Sequence, residues 1–272
     1  MKTRFSIVVT ALNPGEKLRE TIESVLRQKF GDYEIVVKDG LSKDGSVDEL
    51  EQKYANEKRI RIFREADKSI YEGMNQAIAH CEGEYFFFLN CGDRFYDDSV
   101  LENVDAFLSK SPEEVGIAYG NMYNETTKSQ ITSAPVMNDF ACFRNVPCHQ
   151  TCFYHNSMFA ERVYEPKYRV RGDYEHFLWC HFVKKAVIRS MDVIVSFYEG
   201  SGFSETKANL KKSKREHREI TSKYMSFGKR FRYRAMLLLT LAPLRSAIAN
   251  NPKMSGVYNR LKAKIYNRKK RK

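Results

Sequence analysis

In the first 95 residues, short continuous apolar runs alternate with segments whose apolar residues recur every three or four positions. RFSIVVT (4–10), the run 33–37, the segment 59–64 and EYFFFL (84–89) read as strands. Between them, Leu18, Ile22, Val25 and Leu26, and later Ile70, Met74, Ala77, Ile78 and Cys81, recur at helical spacing. A further helix is expected from Ser46 to residue 53, with Ser46 as its cap and Glu49 completing a capping box. Strands apolar on both faces, each followed by a helix, require a mostly parallel sheet covered on both sides. With 42% hydrophobic and 13% aromatic residues, the chain can fill such a core. After Gly120 the pattern loosens. A helix is expected over 173–184, with Trp179 in the core, then a strand over 192–198 and a loop, YEGSGFS, over 198–204.

In an open parallel sheet, ligands bind beyond the carboxyl ends of the strands, near a reversal of strand order. Three such ends carry polar residues: Thr10–Asn13, Asp39-Gly40 and Asn90-Cys91-Gly92-Asp93. An Asp placed there can bond a base or ribose, or hold a divalent cation against phosphate oxygens. It can equally be an ordinary turn former. Neither GxxxxGK[ST] nor GxGxxG follows a strand, so P-loop and dinucleotide chemistry are disfavoured. Diphosphate charge would then need a carboxylate-held cation, and Asp93 is placed for it.

FSIVVTALN (5–13), EIVVKDGLSKDGS (34–46) and EYFFFLNCGDRF (84–95), in that order, resemble the core signatures of glycosyltransferase family 2, which has the GT-A nucleotide-diphospho-sugar transferase fold. EADKSIYEGMNQAIAHCEGEY (65–85) resembles the subgroup found in bacterial colanic-acid and O-antigen polysaccharide loci. The resemblance covers about residues 1–205 and implies roles by position. Thr10, Asn13 and Asp39 would line the pocket for the nucleotide, with Asp67, Asn75 and Asn90 bordering it. The family's DxD-like segment falls on residues 90–93, where Asn90 and Gly92 replace the early acids and Asp93 is left to bind Mn²⁺ or Mg²⁺. The family's general base, usually in a Glu-Asp pair, falls on RGDYEHFLW (171–179): Gly172 replaces the first acid and Asp173 keeps the second, with Glu175 in reserve. A carboxylate suits that role, because an acceptor hydroxyl must lose its proton as it attacks. Asp173 would otherwise be a helix N-cap. PCHQTCFYHNSMF (147–159) and YEGSGFS resemble segments that close over the substrates, which brings in His149, Gln150 and Gly202.

The net charge of +12 is unevenly spread. Residues 1–205 hold 25 Lys and Arg against 32 Asp and Glu, whereas residues 206–272 hold 21 against 2. The chain therefore reads as an acidic catalytic domain, 1–205, with a basic, partly apolar helical extension, 206–272. That extension includes AMLLLTLAPL (235–244), too short and too broken by Pro243 to span a bilayer. It can lie on an anionic membrane surface or pack on the enzyme. No helix-turn-helix or aromatic-interleaved RNA motif accompanies the charge, so nucleic acid is not an expected partner. The early apolar run reads as a buried strand and not as a signal peptide. The six cysteines show neither zinc nor disulfide spacing and read as reduced thiols.

These features predict an inverting, metal-dependent transferase working at the cytoplasmic membrane face. It would move a sugar from a nucleotide-diphosphate donor, UDP-linked, to a hydroxyl of a lipid-linked oligosaccharide. A non-catalytic nucleotide-sugar-binding or scaffold protein and a nucleotidyltransferase are the competing readings.

Overall fold

The computed structural model describes residues 3–198, 206–241, 248 and 254–270. Its elements run β1 (Phe5–Ala11), α1 (Glu16–Leu26), β2 (Tyr33–Asp39), α2 (Ser46–Lys53), β3 (Ile60–Arg64), α3 (Ile70–Ile78), β4 (Tyr85–Phe88), β5 (Arg94–Phe95) and α4 (Val100–Ser109). They continue with β6 (Ile117–Asn124), β7 (Ser129–Ile131), α5 (Asp139–Arg144), β8 (Cys152–His155), α6 (Gly172–Phe182), β9 (Ile188–Tyr198), α7 (Lys207–Tyr224), α8 (Phe227–Leu239) and α9 (Ser255–Lys270).

One sheet runs through the molecule in the order β3-β2-β1-β4-β8-β6-β9-β5, with β7 added on β6. The four strands the alternation demanded are parallel: β1 pairs with β2 on one side and β4 on the other, and β2 with β3. The expected parallel pairing holds throughout that half and returns between β6 and β9, but the sheet as a whole is mixed. Beyond β4, strand β8 enters antiparallel to both β4 and β6, and β5 runs antiparallel to β9. Cys152–His155, CFYH, is as short as β4 but lacks its continuous run of aromatic residues, which is why it escaped the sequence.

The pleat sorts alternate residues onto two cores. Phe5, Ile7, Val9, Ile35, Val37 and Phe87 pack with Leu18, Ile22 and Val25 of α1, Leu50 of α2 and Val104 of α4. Val8, Val36, Phe86 and Phe88 face Met74 of α3, Phe143 of α5, Phe177 of α6, Ile220 of α7 and Tyr233 of α8. Each fully buried Phe contributes about 1.5–3 kcal/mol in transfer free energy, so the run 85–88 alone fixes where β4 lies.

One local expectation is corrected, and the packing of the extension is defined. Ser46 does not cap α2: Gly45, at φ 78°, holds that position without a side-chain bond. Asp44 instead accepts from the Ser46 amide (3.2 Å) and hydroxyl (2.7 Å), and from the Gly15 amide (2.8 Å). A capping serine does start α3, where Ser69 accepts from the Glu72 amide at 3.3 Å. The composition break at 205/206 is also not a gap in packing. The second core includes Ile220, Met225 and Tyr233 from beyond it.

Candidate active site

A cavity of about 830 Å³ opens where β1 and β4 separate at their carboxyl ends, with walls from the 145–150 segment and the start of α6. Thr10, Asn13, Asn90, Asp93, His149, Gln150 and Asp173 all line it. These seven residues are scattered over 160 positions of sequence and come together only because β1, β4 and α6 converge.

Asp173 stands in the first turn of α6. Its Oδ1 accepts from the Tyr71 hydroxyl (2.9 Å) and the Tyr174 amide (2.8 Å), and its Oδ2 lies 3.3 Å from His149 Nδ1. The other ring nitrogen of His149 meets Asn90 Nδ2 at 3.0 Å. An amide NH₂ can only donate, so His149 Nε2 accepts and Nδ1 carries the proton directed at Asp173. Burial pushes the Asp173 carboxyl upward, but the bonds from His149, Tyr71 and Tyr174 outweigh it, and the net shift is downward. Asp173 is therefore a carboxylate at neutral pH. Burial and the neighbouring Asp173 charge raise Tyr71, keeping it a donor.

Gly172 stands where the resembling family carries an acid, and packing gives the reason. A Cβ there would sit 2.9 Å from the Tyr71 ring. The space that an acidic side chain would need is taken by the tyrosine that orients Asp173.

Asp93 follows β4 at the cavity wall and is only 7% exposed. Gln150 Nε2 donates to its Oδ2. Cys148 Sγ donates in turn to Gln150 Oε1 at 3.0 Å, which fixes the amide orientation. Gly92 adopts φ 98°, a region closed to most side chains, and its amide donates to Thr21 Oγ1 at 2.9 Å. Backbone shape thus accounts for the glycine within the DxD-like segment. Among the described residues no group of three or more His, Cys, Asp or Glu could hold a metal ion. One carboxylate nevertheless fits a hard cation that takes its remaining oxygens from substrate phosphates and water. Burial pushes the Cys91 and Cys148 thiols up to about 12, so neither offers a thiolate nucleophile. None of the six cysteines is in a disulfide.

Four other expected site residues do not line this cavity. Asp39 is 2% exposed, and its Oδ1 accepts from the Ser42 amide (2.9 Å) and hydroxyl (2.6 Å). Asp67 neutralises Lys38, a fully buried lysine that requires a counter-charge. Asn75 clamps the Tyr164 backbone, donating to its carbonyl and accepting from its amide, both at 2.9 Å. Glu175, the reserve base, lies behind α6 with Arg162 and Lys223 each at 2.7 Å and Tyr224 as a third partner. Gly202 and the rest of the 199–205 loop lie outside the described residues.

Sequence reasoning missed Tyr71, because it sits beside the apolar helical positions of α3 and looks like core. It also missed the support from α7. Glu216 is buried, and its carboxylate accepts from three consecutive amides, Arg169 (3.0 Å), Val170 (3.0 Å) and Arg171 (2.9 Å), immediately before α6. Ser213 of the same helix accepts from Arg171 Nε at 2.7 Å and lines the cavity together with Arg169 and Arg171. The lone pair of acids in a basic stretch was the available signal, since a buried Glu there needs a donor set.

Residues 6–165 match the glycosyl transferase family 2 model. The chain is 31% identical over 206 residues to a PGL/p-HBAD biosynthesis glycosyltransferase of Mycobacterium tuberculosis, covering 74% of this chain and 79% of that one. It is 27% identical over 151 residues to the chondroitin synthase of Escherichia coli, 51% of this chain but 22% of that much longer one. Among solved structures, S. aureus TarS 1–349 in complex with UDP-GlcNAc superposes with TM-score 0.61 at 16% identity, covering 86% of this chain and 71% of that one. A second structure of TarS 1–349 gives 0.60 at 19% identity, covering 72% of this chain and 60% of that one. The Pyrobaculum calidifontis mannosyltransferase PcManGT, in complex with GDP-Man and Mn²⁺, gives 0.58 at 12% identity, covering 95% and 84%. These structural likenesses carry the GT-A fold. The chain belongs to glycosyl transferase family 2 and is a glycosyltransferase.

Proposed function

We propose that this glycosyltransferase takes a sugar from a nucleotide-diphosphate donor, UDP-linked, and places it with inversion on a hydroxyl of a lipid-linked oligosaccharide at the cytoplasmic membrane face. The observation that carries the reading is Asp173. It is an ionised carboxylate lining the crevice between β1 and β4, held by Tyr71, His149 and the Tyr174 amide.

The donor's base and ribose would lie over Thr10 and Asn13, at the end of β1, with its diphosphate toward Asn90 and Asp93. A divalent cation, Mn²⁺ or Mg²⁺, held by Asp93 and the donor's own phosphate oxygens would offset the charge developing on the leaving diphosphate. Gln150 shares the Asp93 carboxylate and holds its orientation. The acceptor hydroxyl enters from the α6 side, and Asp173 takes its proton as the oxygen attacks the anomeric carbon from the face opposite the leaving group. His149 and Tyr71 keep Asp173 aimed while that bond forms. One displacement of this kind inverts the anomeric centre and needs no enzyme nucleophile, in keeping with the protonated thiols around the cavity.

The UDP and UDP-GlcNAc complexes of TarS support a UDP-linked donor. The lipid-linked acceptor and the colanic-acid and O-antigen setting rest on the resemblance of residues 65–85 and on the basic extension. With purified chain, UDP release from a UDP-sugar should require Mn²⁺ or Mg²⁺. Asp93→Asn should lower it by about 10²-fold or more. Wild-type release by Asp93→Asn, or release indifferent to chelation, would remove the cation role.

A further inference from the structure

Helix α8 carries an outward face that no other described residue covers. Its inner side is anchored: the Tyr233 ring packs on Phe140 and Phe143 at 5.3 and 5.5 Å, and Lys229 Nζ donates to Asp139 at 2.6 Å. On the opposite side stand Phe227, 75% exposed, Phe231, 67%, and Leu238, 67%. At 100° per residue these three fall within about 40° of arc, so they form one stripe. Leu241, 61% exposed, extends it just past the helix end. Arg230 and Arg234 flank the stripe, and the Arg230 guanidinium lies 6.0 Å from the Phe227 ring centroid.

Helix α9 repeats the pattern. Asn259 fastens it to Ser129 of β7 (2.9 Å) and Lys262 to the Thr132 carbonyl (2.8 Å). Val257, Leu261 and Ile265, spaced by four, are each more than half exposed, with Arg260 and Lys264 beside them. The two acids of the extension are both engaged. Glu216 is buried against backbone amides, and Glu219 bonds Tyr168 and Lys167. No carboxylate of 206–272 is left to repel an anion.

We infer that the outward stripe of α8, seconded by that of α9, is a docking surface for an anionic lipid bilayer, with phenylalanine and leucine entering the headgroup–acyl boundary and the flanking arginines contacting lipid phosphates. The composition of the face selects this occupant. An aromatic and aliphatic stripe bordered by basic residues on a helix of low mean hydropathy matches an interfacial helix, which lies on a membrane without crossing it. Among the described residues no helix is long and apolar enough to cross. Anionic headgroups complement a stretch holding 21 basic residues against 2 acidic ones. The acidic body of a second copy offers the same sign of charge, but without the apolar layer that lies beneath lipid headgroups. The inference deepens the proposed membrane-face reading by naming its surface, and vesicle binding is measured without any transfer assay. Its failure would leave glycosyl transfer standing.

The test uses the full chain with phosphatidylcholine vesicles, with and without phosphatidylglycerol. Wild type should bind the anionic vesicles, less so as salt rises. Phe227→Ser with Phe231→Ser should weaken that binding by about tenfold or more, and Arg234→Gln with Arg230→Gln should lessen its salt dependence. Both variants should keep the thermal shift produced by a UDP-sugar, which reports an intact body. Absence of binding by wild type, or undiminished binding by the Phe variant, would overturn the proposal. So would a wild-type oligomer that the Phe variant converts to monomer without vesicles, since the stripe would then be an interface between copies.

Discussion

At the scale of single residues, the site is defined by what holds Asp173. Two donors outside its own helix, Tyr71 and His149, converge on its carboxylate and hold it below the usual carboxylate range despite burial. Transfer needs the ionised form, so activity should persist as pH falls until it reaches the depressed folded value, below about 3.9. The same shift contributes stability that is fully present above the unfolded value and is lost as pH falls through the folded one. Tyr71→Phe removes one donor and leaves the upward push of burial in place, so the acid limb of kcat should move to higher pH. A pH–rate profile of wild type and Tyr71→Phe checks this; coincident acid limbs would contradict it. Asp173 itself was legible in RGDYEHFLW through the family resemblance, and Gly172 was legible only as a departure. The Tyr71 ring that excludes a side chain at 172 comes from a helix 100 residues earlier, and no local pattern reports it.

At the scale of elements, β1, β2 and β4 were readable because each is buried on both faces and carries a central apolar run, and the edge strand β3 because Ile60, Ile62 and Phe63 lie close together. Strand β8 was not, lacking the continuous aromatic run of β4. Nor was the clamp made by α7. A composition split suggested that 206–272 was an appendage, yet Glu216 collects three amides at the entrance to α6. Glu216→Ala leaves those amides without their acceptor, and stability should fall by about 3 kcal/mol, read from denaturant midpoints. Because the 169–171 turn positions Asp173, kcat should fall more than donor KM rises. Equal effects on both, scaling only with lost stability, would make Glu216 a structural residue alone. Asp39, Asp67, Asn75 and Glu175 show the converse limit. Each has the right chemistry for a site, but the fold uses its polar atoms to fasten a loop, neutralise a buried lysine or tie helices together.

At the scale of the whole molecule, the acidic body and the basic extension share one core. Met225 and Tyr233 are buried against α5 and α6, so ending the chain at residue 205 would expose Phe143, Tyr174 and Phe177 to water. Removing 206–272 should therefore yield an aggregating or partly folded product, and not a soluble catalytic domain; a monodisperse, donor-binding 1–205 fragment would contradict the shared core. The central claim, that the crevice between β1 and β4 orients a donor sugar toward Asp173, is tested most directly by Asp173→Asn, which keeps the size and the bonds from Tyr71 and Tyr174 but cannot take a proton. Thermal unfolding with and without UDP-sugar, measured beside glycosyl transfer on the same preparation, separates binding from chemistry. The donor-dependent rise in Tm should be preserved while transfer falls by about 10²- to 10⁴-fold. Transfer near the wild-type rate in Asp173→Asn would contradict the account.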